Sequence, residues 1–208
     1  MRSRIRRGYL VAIEGIDASG KNTQSKLLSK WLTTKGITTK TLSFPDYGTP
    51  IGREIKSFLA GRRKYPTELQ HLLFAANRWE KCDELESHLR AGALVIVNRY
   101  SESNLAYGLA NGLDLDWLVG LERGLPTSDL VILLDATPDS VGSRRPGTKK
   151  DEFERSSDLQ NKAQKAYREL ARKRGWKVVD GTKPVGAVRE FVRSIVKESL
   201  ARERQVSL

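Results

Sequence analysis

The 208-residue sequence holds a single cysteine, Cys82, one methionine and two histidines. A lone thiol excludes an internal disulfide framework and every multi-cysteine metal site. Long apolar runs are missing too. The longest, Ala93–Val97 and Leu130–Leu134, fall far short of the ~18 residues a membrane-spanning helix requires. The basic opening residues lead into an apolar stretch, Tyr9–Ile13, that Glu14 cuts off, with no small-residue cleavage site, so no targeting peptide is read here. Repeats, linkers and low-complexity segments are absent, and the length bounds one domain, residues 1–208. These absences describe a cytoplasmic protein with no membrane partner.

Acidic residues are in short supply: 37 lysines and arginines face 25 aspartates and glutamates, for a net charge of +12. Half of the excess lies in Lys162, Lys165, Arg168, Arg172, Lys173, Arg174 and Lys177, opposed only by Glu169. Such a stretch suits nucleic acid. However, no aromatic-studded basic ribbon and no DNA-reading helix pair accompanies it. A solvated helix face and a site for small phosphorylated ligands account for the charge better, and no nucleic-acid partner is expected.

Strands and helices alternate. Tyr9–Glu14, Thr38–Phe44, Ala93–Asn98, Leu130–Asp135 and Trp176–Val179 read as strands, several of them apolar throughout. Helical periodicity covers Thr23–Lys35, Ile51–Leu59, Glu68–Arg90, Asp158–Arg174 and Val185–Leu200. The pattern predicts an α/β fold, a five-stranded parallel sheet covered by helices on both faces. Residues 144–157, rich in charge with Gly and Pro, read as a loop.

Between the first strand and the first helix stands Gly15-Ile16-Asp17-Ala18-Ser19-Gly20-Lys21-Asn22-Thr23, a G-x-x-x-x-G-K phosphate loop. Its glycines let successive N–H groups curl around a polyphosphate at a helix N-terminus, and Lys21 bridges the terminal phosphates. Asn22 occupies the place of the Ser or Thr hydroxyl that would meet Mg²⁺, where an amide oxygen is a weaker ligand and Thr23 is adjacent. A GTPase is disfavoured. Asn161-Lys162 is followed by Gln164 where a base-reading acid should be.

Further motifs narrow the class: Phe44-Pro45, Leu73-Phe74-Ala75-Ala76-Asn77-Arg78-Trp79-Glu80, Asn98-Arg99-Tyr100, Leu125-Pro126 and Val179-Asp180-Gly181. Together with Glu14-Gly15-Ile16-Asp17 they resemble the thymidylate kinase family, collinearly from about Tyr9 to Phe191. The resemblance implies a three-layer P-loop nucleoside-monophosphate kinase that phosphorylates dTMP to dTDP with ATP and Mg²⁺, as a homodimer, with a lid at about 144–157; a nucleoside-monophosphate kinase of broader specificity, or a weakly active nucleotide- or nucleic-acid-binding protein, is the alternative. It assigns Phe74 to stacking on thymine, Arg78 and Asn104 to the base edge, Arg99 to the acceptor phosphate, and Asp17 to the 3′-hydroxyl. Tyr107 would exclude a 2′-hydroxyl, Phe44 and Pro45 would line the sugar and base pocket, and Gln160 would make a further contact. Asp180, Gly181, Thr182 and Lys183 would border the adenine.

Two departures stand out against the family. Ala18 sits where some members carry a phosphate-loop arginine, which leaves Arg144 and Arg145 of the lid, near Lys149 and Lys150, to cover the migrating phosphoryl group. Asn98 replaces the family's Asp, so both metal-side positions, Asn22 and Asn98, are amides. The lid also carries Glu152 at a place often basic, and Phe153 for Tyr.

Overall fold

Five strands form the sheet, apolar runs in β1 (Tyr9–Glu14), β3 (Leu94–Asn98) and β4 (Leu130–Asp135) and more polar, partly exposed ones in β2 (Thr39–Ser43) and β5 (Lys177–Asp180). In the computed structural model, which describes residues 7–137, 140, 153 and 156–205, these strands are all parallel in the order β2-β3-β1-β4-β5. Strands β1, β3 and β4 are buried on both faces, as continuous apolar runs require. Around them lie α1 (Lys21–Thr34), α2 (Pro50–Leu59), α3 (Thr67–Trp79), α4 (Cys82–Arg90), α5 (Ser101–Ala110), α6 (Leu115–Leu121), α7 (Ser157–Arg174) and α8 (Val185–Gln205).

The two faces of the sheet alternate residue by residue. Val11, Ile13, Ile96 and Ile132 pack against Leu28 and Leu32 of α1 and Val188, Val192 and Val196 of α8. Leu10, Ala12, Val95 and Val97 face the other way, onto Leu85 and Leu89 of α4. Beyond them Leu133 meets α5 and α7 through Leu105, Ala106, Ala163, Tyr167 and Leu170.

Three local signals worked as capping chemistry demands. Thr49 caps α2 by accepting from the Gly52 N–H at 3.0 Å with Pro50 next in line. Ser156 caps α7 by accepting from Leu159 at 3.2 Å. At the other end of α7, Gly175 terminates the helix in the left-handed conformation.

The single helix expected over Glu68–Arg90 is two, α3 and α4, broken at Glu80–Lys81. Neither Gly nor Pro marks the break. Instead Glu80 is held by a distant element: its Oε1 accepts from the Ile51 N–H at 3.0 Å, and its Oε2 from Asn77 Nδ2 at 3.0 Å. The crossover after β3 contains α5 and α6, which helical periodicity did not delimit. Helix α5 buries Glu102, Ser103 and Asn104 beside Leu105, Ala106 and Tyr107, so it has no polar stripe to betray it.

Because every strand points the same way, Glu14, Ser43, Asn98, Asp135 and Asp180 end on one edge of the sheet. Ligands of open α/β sheets collect at that edge, beside the strand where the chain order reverses. Here that strand is β1, with β3 on one side and β4 on the other. The first residue after β3 is anchored directly to β1, since the Arg99 N–H donates to Ile13 O at 3.2 Å.

Candidate active site

Leaving β1, the chain turns at Gly15, whose φ is 140° and where a Cβ would meet Leu134 O at 2.6 Å. Ala18 takes φ 57°, a left-handed conformation that costs an alanine about 1 kcal/mol. Gly20, at φ 101°, opens α1. Lys21 is buried, and its Nζ donates back to Gly15 O at 3.0 Å and Ile16 O at 2.6 Å. Its ammonium therefore lies inside the loop it would share with phosphates. Asn22 and Thr23 follow, exposed, on the first turn of α1. Ser19 Oγ is buried and has no hydrogen-bond partner among the described residues.

Opposite the loop stands Arg99. Its backbone φ of 62° is unusual for a non-glycine, and strain of this kind persists only where surrounding structure enforces it. The enforcement is visible. Tyr100 N–H donates to Glu14 Oε1 at 2.7 Å, while Ser103 Oγ and Tyr167 OH donate to Glu14 Oε2 at 2.6 and 2.9 Å. The guanidinium lies 5.3 Å from the Tyr107 ring centre and pairs with Asp17 Oδ1 at 2.5 Å. Its Nη1 donates to Ser103 Oγ at 3.2 Å.

Charge partners explain the titration behaviour. Burial alone would raise Asp17, but Arg99 and Lys21 override it and hold the carboxyl well below the usual carboxylate range. Burial raises Glu14, against the opposing hydrogen bond of Ser103 and the charge of Arg99. Glu102, in the first turn of α5, is pushed up to about 7 by burial and by the charge of Glu14.

The third wall is aromatic. Phe74 meets Phe58 at 6.5 Å, His71 at 6.1 Å and Phe153 at 5.8 Å between ring centres, and Phe153 stacks on Tyr107 at 5.6 Å. Phe44 and Pro45, joined by a cis peptide, close the side nearest β2. Arg78 is buried and ion-paired with Glu122, its Nε donating to Oε2 at 2.8 Å. Asn104 donates from Nδ2 to Glu122 Oε1 at 2.8 Å. Tyr107 OH donates to Asp17 Oδ2 at 3.1 Å, and Gln160 Nε2 donates to the same oxygen at 3.3 Å.

At the far end, Asp180 Oδ1 accepts from the Thr182 N–H at 2.9 Å and organises the turn through Lys183. The side chain of Asn98 donates to Ser43 Oγ at 3.3 Å, and its buried Oδ1 has no partner among the described residues.

These walls enclose one cleft of about 820 Å³. Asp17, Ala18, Ser19, Gly20, Lys21, Asn22 and Thr23 line it, as do Phe44, Pro45, Phe74, Arg78, Arg99, Asn104, Tyr107, Gly181, Thr182 and Lys183. Gly15 and Ile16 lie beneath, holding Lys21 through their carbonyls, and Asp180 stands behind its turn. Gln160 acts from behind Asp17 rather than from the cleft wall. Arg144, Arg145, Lys149, Lys150 and Glu152 lie outside the described residues.

Five polar residues of this architecture escaped the sequence reading as site residues: Glu14, His71, Ser103, Glu122 and Tyr167. Only Glu14 carried a signal, as a charge ending a buried strand. A buried charge there needs partners, and Arg99 with Ser103 and Tyr167 supplies them.

The family model described as thymidylate kinase matches residues 13–192. The chain is 34% identical to a thymidylate kinase of Arabidopsis thaliana over 194 residues, 93% of this chain and 73% of the relative. It is 33% identical to the Homo sapiens thymidylate kinase over 198 residues, 94% of this chain and 92% of the relative. Among solved structures, a thymidylate kinase from Candida albicans superposes with a TM-score of 0.82 at 31% identity, covering 92% of both chains. A phosphate loop, an arginine facing it and an aromatic pocket in one cleft, set on a collinear match of this extent, make the chain a member of the thymidylate kinase family.

Proposed function

We propose that the cleft phosphorylates dTMP to dTDP with ATP as the phosphate donor. The observation that carries this reading is the opposition of two anion grips across one cavity, the Gly15–Lys21 loop and Arg99, beside a pocket walled by Phe74, Arg78 and Asn104. The loop and Lys21 hold the ATP phosphates, with Gly181–Lys183 at the adenine. Arg99 holds the dTMP phosphate. Phe74 stacks on the base while Arg78 donates to its O4 and Asn104 meets the same edge.

In this mechanism a dTMP phosphate oxygen attacks the γ-phosphorus of ATP while its bond to the β–γ bridging oxygen breaks and ADP leaves, a step that needs positive charge over the migrating group more than a base. When phosphate arrives, it takes the Arg99 donors that Asp17 occupies, and Asp17 is released to accept the 3′-hydroxyl. Ser103 and Tyr167 keep the guanidinium oriented throughout. Tyr107 fills the space a 2′-hydroxyl would need. Arg144 and Arg145 cover the developing charge, since Ala18 cannot.

Magnesium fits this donor set. The orphaned Oδ1 of Asn98 can accept from a metal-bound water, and the Asn22 amide oxygen can bind directly. The ion would neutralise charge on the ATP phosphates. With two amides in place of carboxylate and hydroxyl, the phosphates and waters supply most of the hold.

The reading extends to the whole chain, 1–208, as one domain with its lid at about 144–157. It also includes a homodimer, supported by Leu69, Leu72 and Trp79, which leave 38%, 42% and 44% of their surface exposed on α3. A cytoplasmic setting suits its single reduced thiol and its substrates. The deciding experiment is a coupled assay over a panel of nucleoside monophosphates. dTMP should be the best acceptor, and ADP formation that is independent of dTMP would overturn the assignment. Sedimentation analysis of Leu72→Glu should report monomer where the parent reports dimer.

A further inference from the structure

Five side chains form one hydrogen-bonded chain beside the base pocket. Arg78 donates to Glu122, Asn104 Nδ2 donates to Glu122 Oε1 at 2.8 Å, Asn104 Oδ1 lies 2.7 Å from His71 Nδ1, and His71 Nε2 lies 3.1 Å from Asn111 Nδ2. The direction of this chain is set mainly at the Glu122 end, with a longer second bond from Asn104 Nδ2 to the His71 carbonyl at 3.3 Å. A carboxylate only accepts, so Glu122 obliges Asn104 to turn its NH₂ outward to it and its carbonyl toward His71. His71 must then donate from Nδ1, which leaves Nε2 to accept from Asn111. Burial pushes His71 below the usual histidine range, in keeping with a neutral ring that has one donor and one acceptor.

Glu122 does not line the cleft, whereas Arg78 and Asn104 do. Two nitrogens of Arg78 are committed to Glu122, and Nη1 has no partner among the described residues. Asn104 Oδ1 keeps a second lone pair.

We propose that Glu122 sets base choice without touching the base: as an acceptor-only group it fixes the polarity of the Asn104–His71–Asn111 chain, so that the cleft presents a donor, Arg78 Nη1, beside an acceptor, Asn104 Oδ1. That pair complements a pyrimidine with C4=O next to N3–H, as in thymine. Cytosine offers the reverse, an amino group next to a bare N3, and mismatches at both positions. Glu122 is thus a positioning residue. The inference rests on the reading above of Arg78 and Asn104 as the base-facing pair.

Glu122→Gln tests it. A glutamine carries its own donor, so Asn104 can turn over, His71 can switch tautomer, and the whole chain can run backwards. The ratio of kcat/KM for dTMP to that for dCMP should fall about tenfold or more, while KM for ATP stays unchanged. Glu122→Asp keeps an acceptor-only group and should retain most of the preference. A merely structural role would depress both substrates together, and an unchanged ratio in Glu122→Gln overturns the proposal. Nitrogen-15 NMR of the imidazoles supplies an arm that needs no variant at Glu122. The chain has two histidines, so His88→Gln assigns the spectrum. His71 should be the Nδ1–H tautomer, and an Nε2–H tautomer in the parent protein would also overturn the proposal. Absence of any dTMP turnover in the parent would instead sink the proposed function, a failure that the tautomer measurement keeps separate.

Discussion

The two halves of the cleft are built differently. On the acceptor side nearly every polar group already has a protein partner. Arg99 is held by Asp17 and Ser103, Arg78 by Glu122, and Glu14 by three donors. On the donor side Asn22, Thr23, Thr182 and Lys183 are exposed, and Lys21 folds back on carbonyls of its own loop. On the proposed reading the acceptor half is thus largely set before substrate arrives, while the donor half is left for the nucleotide to complete. Only the Arg99–Asp17 pair then exchanges partners when a phosphate binds, and the other desolvated charges stay held by one another. Exposed residues on a loop leave that work, on the same reading, to ATP and any ion bound with it.

The sharpest way to break this contrast is at the proposed lid. Replacing Arg144 and Arg145 together by alanine should lower kcat by about 10³-fold or more, with dTMP affinity nearly intact, because such contacts form chiefly in the transition state. Stopped-flow binding beside steady-state rates measures both. An unchanged kcat would leave these arginines as solvated charge. Next comes Lys21→Ala, expected to cost about 10²- to 10³-fold in kcat. Its melting temperature should hardly move, since Lys21 contacts loop carbonyls rather than the core. Near-normal turnover would end the reading of the loop as a phosphate grip.

On the preset half, the effect should appear in stability. Glu102 has its carboxyl raised to about 7 by burial and by Glu14. A carboxyl raised in the folded state contributes stability that is present below its ordinary value near 4.5 and lost as pH rises through 7. Wild type should therefore lose about 1–3 kcal/mol between pH 5 and pH 8 from this group. Glu102→Gln should remove that slope, raising stability at pH 8 and leaving it alone at pH 5. Parallel pH profiles of chemical unfolding for the two proteins would refute this. The smallest change lies where the halves meet. Asn98→Asp places a carboxylate beside the proposed ion position and should lower the magnesium required for half-maximal rate by a few-fold while raising kcat. If instead the new carboxylate captures Arg99, KM for dTMP rises and the metal dependence stays put, which a magnesium titration beside a dTMP titration separates.

What could be read from sequence follows the same division. Strands β1, β3 and β4 announce themselves because buried parallel strands are apolar throughout, and the phosphate loop because its glycines and lysine are contiguous. Phe74 and Arg78 share a single helix motif. Glu122, by contrast, reaches Arg78 across 44 positions and Asn104 across 18. Nothing local in Leu121-Glu122-Arg123 distinguishes that glutamate from a solvated one. The break between α3 and α4 was illegible for the same reason. It depends on Ile51 donating to Glu80 from 29 residues away, while the local sequence is good helix. Helix α5 hid because burial on nearly all sides erases periodicity. Contacts that close over long sequence separations leave no pattern in composition or spacing.

One backbone hydrogen bond sets a distance that no side chain controls. The Arg99 N–H bonds to Ile13 O, so the arginine begins one strand away from the loop that starts at Gly15. Adjacent parallel strands are kept ~4.8 Å apart by peptide geometry. In the proposed reaction the gap that a phosphoryl group crosses is therefore gauged first by the sheet itself. On the proposed reading, the backbone origins of the two grips, after β1 and after β3, are fixed by that pairing whatever the flanking helices carry. A variant that widens this span has to separate β1 from β3, and losing the centre of the sheet would unfold the protein before it retuned the reaction.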